Sequence, residues 1–193
     1  MKVVIVKYNA GNIRSVDFAL KRLGVEAIIT DDYDAITSAD KVILPGVGEA
    51  SRAMKYLKEK NLDTLIKQLT RPVLGICRGL QLMCTYSEEG RTECLGIFSE
   101  KVNKFGSGKK VPHMGWNRIE QSGGRLFNDS TDHQYVYFVH SYYAPIGPHT
   151  VATTDYMGRF SAALEKGNFF ATQFHPEKSG KTGENILMKF LSL

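Results

Sequence analysis

The order of apolar and polar residues predicts an α/β fold: a doubly wound, mostly parallel central sheet with helices on both faces and extra antiparallel strands at one edge. Three observations lead there. Through the first half of the chain, apolar runs of strand length alternate with stretches at helical spacing. The strand-like runs are continuously apolar, as expected of parallel strands covered on both faces. Beyond about Thr92 the pattern breaks into short strand-like pieces and Gly-rich turns, Gly106-Ser107-Gly108 and Ser122-Gly123-Gly124 among them.

Residues 2–6 read as the first buried strand. Ile13, Val16, Leu20 and Leu23 then recur at helical spacing, and Gly24 is placed to cap that helix at its C-terminus. Residues 27–29, Lys41–Leu44 and Val73–Ile76 supply further short strands, with helical material over residues 51–69. This β-α order implies a parallel sheet with helices on each side. In the second half, residues 169–174 should return to that sheet, and residues 182–191, with Ile186, Leu187, Phe190 and Leu191 on one side, should form the closing helix.

With 193 residues and 42% apolar content, the chain can bury one sizeable core, and residues 1–193 are expected to form a single domain. No apolar run approaches the roughly 20 residues of a membrane helix, and the N-terminal run is too short for a signal peptide. The net charge of +5 is spread among acids and comes with no aromatic-basic stacking motif, so neither a membrane nor a nucleic-acid partner is expected. Three cysteines without Cys-x-x-Cys spacing argue against a disulfide framework or a zinc site, and for a reducing, cytoplasmic setting. The five histidines show no metal-ligand spacing. No metal or organic cofactor is expected.

The chemistry gathers at two segments. In Pro72-Val73-Leu74-Gly75-Ile76-Cys77-Arg78-Gly79-Leu80-Gln81 a cysteine ends an apolar strand and opens a helix, flanked by glycines. That is the pattern of a nucleophile elbow, where a sharp turn exposes the side chain above the sheet beside the positive end of a helix. Near the C-terminus, His175-Pro176-Glu177 sets an imidazole and a carboxylate two residues apart, on one side of an extended segment. A carboxylate so placed fixes the imidazole's tautomer and balances its charge when it takes the thiol proton. Cys77, His175 and Glu177 thus fit acyl transfer through a thioester. Cys84 and Cys94 have no elbow and read as packing residues.

Gly75-Ile76-Cys77-x-Gly79-x-Gln81 with His175-Pro176-Glu177 resembles the class I (triad) glutamine amidotransferases, whose fold is flavodoxin-like. Pro45-Gly46-Val47-Gly48-Glu49-Ala50, Pro112-His113-Met114-Gly115-Trp116-Asn117 and His175-Pro176-Glu177-Lys178-Ser179 are similar to the branch of that family serving histidine biosynthesis. The likeness runs from Tyr8-Asn9-Ala10-Gly11-Asn12 to the C-terminal helix.

The resemblance implies glutamine as substrate. It assigns oxyanion-hole N–H groups to Val47 and Arg78, and glutamine binding to Gly46, Gly48, Gln81 and the Ser141-Tyr142 backbone. Read without it, the double-glycine loop is equally a structural turn. Loss of one oxyanion donor costs ~100- to 1,000-fold in rate, so a loop that turns over could act as a switch. Residues 46–48 are expected to face the wrong way in the isolated chain and to be reset by a partner.

That partner, by resemblance, is a (β/α)8-barrel cyclase subunit that carries the ammonia acceptor, forming a heterodimer with Trp116, Tyr137 and Lys178 at the interface. Residue composition alone allows a core Trp, a core Tyr and a solvated Lys equally well. Three alternatives stay open: a paralogue feeding another acceptor such as an amino sugar, a free-standing γ-glutamyl hydrolase, which the Cys-Arg-Gly-Leu-Gln run also resembles, and a non-catalytic scaffold. Arg78 departs from the branch, which carries an aliphatic residue there. It could act on the thiol, pair with an acid across the interface, or mark a paralogue.

Overall fold

The computed structural model describes residues 1–8, 11–46, 48–120, 122–127 and 131–193. Its first half alternates strand and helix: β1 (Val3–Val6), α1 (Ile13–Arg22), β2 (Ala27–Thr30), α2 (Tyr33–Thr37), β3 (Lys41–Leu44), α3 (Ala50–Glu59), α4 (Leu62–Gln68), β4 (Val73–Ile76) and α5 (Arg78–Met83). The second half is mainly strand: β5 (Tyr86–Ser87), β6 (Thr92–Glu93), β7 (Lys101–Lys104), β8 (His113–Arg118), β9 (Tyr135–His140), β10 (Tyr142–Tyr143), β11 (Thr150–Asp155), β12 (Arg159–Lys166) and β13 (Phe169–Thr172), closed by α6 (Gly180–Ser192).

A seven-stranded sheet runs β11-β12-β13-β4-β3-β1-β2. From β13 to β2 every pairing is parallel, and β12 and β11 add antiparallel strands at one edge. The expected sheet is therefore present. Alternate strand residues feed two cores: Val4, Val6, Val42 and Leu44 pack with α3, α4 and α5, while Val3, Ile5, Ile43 and Leu74 pack with α1 and α6. Burial on both faces is why these runs are apolar without alternation.

Local signals explain most boundaries. Gly24, at φ +76°, ends α1: its N–H reaches Lys21 O at 3.0 Å and the Val25 N–H reaches Leu20 O at 3.0 Å, a Schellman closure. The helical stretch at 51–69 is two helices, because Asn61 turns to φ 56° between them. Helix α2 was not anticipated, although Asp32 caps it by accepting the Ala35 N–H at 2.8 Å.

The strand-rich half also departs from expectation. Strand pairing begins at Tyr86, before Thr92, and the extra strands are not all at the edge of the main sheet. A four-stranded sheet, β10-β7-β5-β6, and a two-stranded ribbon, β8-β9, stand apart from it. The β5–β7 pairing is parallel. Two-residue strands such as β5 and β6 are too short for periodicity to register.

Candidate active site

Cys77 alone makes the turn from β4 into α5, at φ 51° and ψ −97°. Such a backbone is costly for a residue with a Cβ and persists only where the surroundings enforce it. Here the Cys77 N–H donates to Thr172 O at 2.7 Å, and Gly79 lets the turn close onto β3: a Cβ there would lie 2.0 Å from Leu44 O. Helix α5 has only six residues, so the elbow owes less to a helix dipole than the sequence suggested. The Cys77 Sγ lies 3.8 Å from Val139 O and accepts from Gln173 Nε2 at 3.6 Å.

Strand β13 pairs in register with β4 and so carries His175 to the elbow. The expected extended segment stops at His175, and a 3-10 turn begins at Pro176. The turn still brings the side chains together, with His175 Nδ1 2.7 Å from Glu177 Oε1. A carboxylate accepts, so Nδ1 carries the proton and Nε2 is left for other work. Among the described residues, His175 Nε2 and Glu177 Oε2 are buried without a hydrogen-bond partner. Burial works against an imidazolium at His175, but the Cys77 sulfur and then Glu177 outweigh it and push His175 up to about 10. The same Glu177 Oε1 accepts from Asn12 Nδ2 at 2.6 Å.

Gln81, one turn along α5, is buried and fully engaged. Its Nε2 donates to Tyr142 O at 2.8 Å and to Gln173 Oε1 at 3.0 Å, and its Oε1 accepts from Arg78 Nη1 at 2.5 Å. Arg78 also grips Glu89 with both Nη atoms, at 2.5 and 3.0 Å. Arg78 thus has an acid within its own chain. Glu89 in turn accepts the Ala50 N–H at 2.7 Å, at the start of α3.

Val47 lies outside the described residues, as do Asn9 and Ala10. The loop on either side of Val47 is clear. Gly46 is buried against the elbow, where a Cβ would come within 2.2 Å of Arg78 Cβ, and its carbonyl accepts the Arg78 N–H at 3.4 Å. Gly48 stands at φ +112°, in backbone that favours glycine. Tyr8, buried under this loop, donates from its hydroxyl to Pro45 O. Ser141 adjoins Tyr142 and its carbonyl accepts from Phe105 N at 3.0 Å.

The β8-β9 ribbon lies over Cys77, since Val139 belongs to β9 and the His175 N–H donates to Tyr137 O at 2.9 Å. Its outer face shows Met114, Trp116 and Tyr135, all more than half exposed. Trp116 pairs with Tyr137 across the ribbon, ring centroids 6.0 Å apart. Lys178 is exposed in the turn beside them. Trp116 is thus no core residue.

Sequence reasoning missed Asn12, Gln173, Glu89 and His140. Asn12 carries a helix-start signal, yet its side chain caps nothing and reaches Glu177 instead. Gln173 is a polar residue two before His175, just past a largely apolar strand, which was a usable hint. Cys84 is fully buried, and burial raises its thiol well above the usual range; burial likewise pushes Cys94 up to about 12. Neither is suited to attack at neutral pH.

The family model "Glutamine amidotransferase class-I" matches residues 4–192. The "Imidazole glycerol phosphate synthase subunit HisH" of Bacteroides thetaiotaomicron is 61% identical, and that of Idiomarina loihiensis 46%, over all of this chain and 100% and 98% of theirs. A solved glutamine amidotransferase superposes with a TM-score of 0.77 at 20% identity, covering 98% of this chain and 97% of its own. A putative GMP synthase subunit from Thermoplasma acidophilum gives 0.74 at 20% identity, covering 100% and 93%. At that identity the two structures speak for the fold, and the family model and the relatives for descent: the chain belongs to the class I glutamine amidotransferases.

Proposed function

We propose that this chain is the glutaminase subunit of an imidazole glycerol phosphate synthase. It hydrolyses glutamine on Cys77 and passes ammonia to a (β/α)8-barrel cyclase subunit, in the cytoplasm. The observation that carries the chemistry is the His175 side chain, tied at Nδ1 to Glu177 and, among the described residues, without a hydrogen-bond partner at Nε2, interacting with the Cys77 sulfur on a strained elbow. The full-length relatives bearing the synthase-subunit name support the setting.

The residues divide the work as follows. His175 is placed to take the Cys77 thiol proton and to balance the charge that develops on the sulfur, which attacks the glutamine carboxamide carbon. The tetrahedral oxyanion needs two donors, assigned to the N–H groups of Arg78 and Val47. His175 Nε2 gives its proton to the departing ammonia, and then takes one from the water that frees glutamate from the thioester. Gln81 and the Ser141-Tyr142 backbone receive the amino-acid end, with Gly46 and Gly48 giving the loop room.

In the present conformation the Arg78 N–H is spent on Gly46 O, so one oxyanion donor is occupied. This supports the reading that the loop at 46–48 must turn over when the partner docks on Trp116, Tyr137 and Lys178. Large aromatic side chains such as Trp116 and Tyr137 are enriched at the centre of protein interfaces, which suits them to this role. Ammonia is mostly ammonium in water at neutral pH and no longer a nucleophile, so delivery requires a sheltered path to the partner. The partner's acceptor, phosphoribulosyl formimino-AICAR phosphate, then yields imidazole glycerol phosphate and AICAR.

Two measurements test this. Acid-quenched intact mass should show a glutamyl thioester on the wild-type chain and none on Cys77→Ala. With the cyclase subunit and its ligand, label from amide-15N glutamine should enter imidazole glycerol phosphate. A thioester without label transfer would move the assignment to another acceptor.

A further inference from the structure

Two histidines outside the proposed triad are buried side by side under the β8-β9 ribbon. His113 Nδ1 lies 3.0 Å from His140 Nε2, His140 Nδ1 lies 2.8 Å from Tyr142 O, and His113 Nε2 lies 3.3 Å from Asn117 Nδ2. Asn117 Nδ2 also donates to Asp155 O at 2.9 Å, while its Oδ1 accepts the Arg118 N–H at 2.8 Å, which fixes the orientation of the amide.

The protons in this chain can be assigned. The Tyr142 carbonyl only accepts, so His140 carries its proton on Nδ1. A neutral His140 then accepts at Nε2, so His113 donates from Nδ1. A neutral His113 accepts at Nε2 from Asn117. Every donor runs the same way, from Asn117 to His113 to His140 to the Tyr142 carbonyl. Both rings stay neutral: burial pushes His140 down to about 3 against the pull of the Tyr142 carbonyl, and burial with Lys109 pushes His113 to about 4. His113 is clamped in place between Tyr156, at 4.1 Å and 14°, and Phe138, at 4.9 Å and 24°.

The end of the chain is the carbonyl on which Gln81 docks. We infer that His113 and His140 are positioning residues for glutamine, holding the Tyr142 peptide in line from one side while Gln81 holds it from the other. Asn117 extends the support to the strand that carries Trp116, so the pocket's far wall is braced on the ribbon. The inference rests on the reading of Gln81 and Tyr142 as the glutamine pocket. Two donors on one carbonyl remove its freedom to tilt, and without the His140 donor the peptide would swing and carry the pocket with it.

The test has two arms. In the complex with the cyclase subunit, His140→Phe should raise the KM for glutamine about 10-fold, the worth of one buried hydrogen bond, with kcat within about 3-fold of wild type. His140→Asn, which restores an N–H near the place of Nδ1, should bring KM back towards wild type, and His113→Phe should give a smaller rise than His140→Phe. In the unaltered complex, 15N NMR of the imidazoles at neutral pH should show both rings neutral with the proton on Nδ1. An unchanged KM in His140→Phe, or a charged or Nε2-protonated His140, would overturn the inference whatever happens at Cys77. Turnover that survived Cys77→Ala would instead contradict the triad.

Discussion

The Arg78 amide donates to the Gly46 carbonyl at 3.4 Å, across the gap between the β4–α5 elbow and the loop after β3. One bond thus links the group assigned to the oxyanion with the loop assigned to regulate it. The approach depends on Gly46 lacking a side chain, because a Cβ would stand 2.7 Å from Gly79 N as well as against Arg78. Backbone cannot yield as a flexible side chain does. Gly46→Ala should therefore lower stability by about 1–3 kcal/mol, as overpacking does, and abolish partner-stimulated glutaminase. Urea denaturation and a glutamate assay read both.

Asn12 holds the acid end of the proposed triad. Its Nδ2 is the second donor on Glu177 Oε1, and Glu177 Oε2 has none among the described residues. Asn12→Ala should let Glu177 and His175 drift, lowering kcat about 10-fold for a loss near 1.4 kcal/mol, with KM little changed. Steady-state kinetics in the complex would separate the two constants.

Arg78 and Glu89 form a largely buried, two-pronged pair that also reaches Gln81 and the start of α3. Removing either partner leaves the other charge stranded, so Arg78→Leu and Glu89→Gln should each destabilise the chain. A double-mutant cycle should show coupling of about 0.5–3 kcal/mol. Arg78→Leu should keep its backbone donor, so turnover should fall through weaker glutamine binding rather than through loss of the oxyanion site.

Stability should peak near pH 6.5 for reasons that can be separated. As pH falls below that point the unfolded chain protonates His113 and His140, while the folded chain refuses until about 4 and about 3; stability declines through that window. Lys109 beside His113, and His175 and Arg78 near His140, add to the refusal. His175 acts in the opposite sense. Raised to about 10, its contribution is full below about 6.5 and is lost as pH climbs through about 10. Calorimetry across pH should show His140→Phe flattening the acid limb and Cys77→Ala, which removes the largest cause of the rise at His175, flattening the alkaline one.

The parallel half of the sheet was legible because strands such as Val73–Ile76 and Lys41–Leu44 are buried on both faces and leave a continuous apolar imprint. The elbow was legible because its glycines are forced: a Cβ on Gly79 would meet Leu44, and one on Gly75 would meet the Gly79 and Leu80 backbone. Neither β5 nor β6 could be read, since a two-residue strand has no period and takes its partners from tertiary packing. Asn12 and Gln173 escaped for a related cause: each acts on a residue far along the chain, Glu177 and Cys77, and only the fold creates that proximity. His113 sat within a motif already singled out, but its partner His140, 27 residues on, gives it meaning only once β8 pairs with β9.

Glutamate release from glutamine by the purified chain, alone and with a cyclase subunit bearing its ligand, tests the central claim most directly. An oxyanion donor engaged by Gly46 predicts a rate for the free chain at least ~100-fold below that of the complex, with both rates abolished by Cys77→Ala. Full turnover by the chain alone would contradict the closed loop and favour a free-standing γ-glutamyl hydrolase.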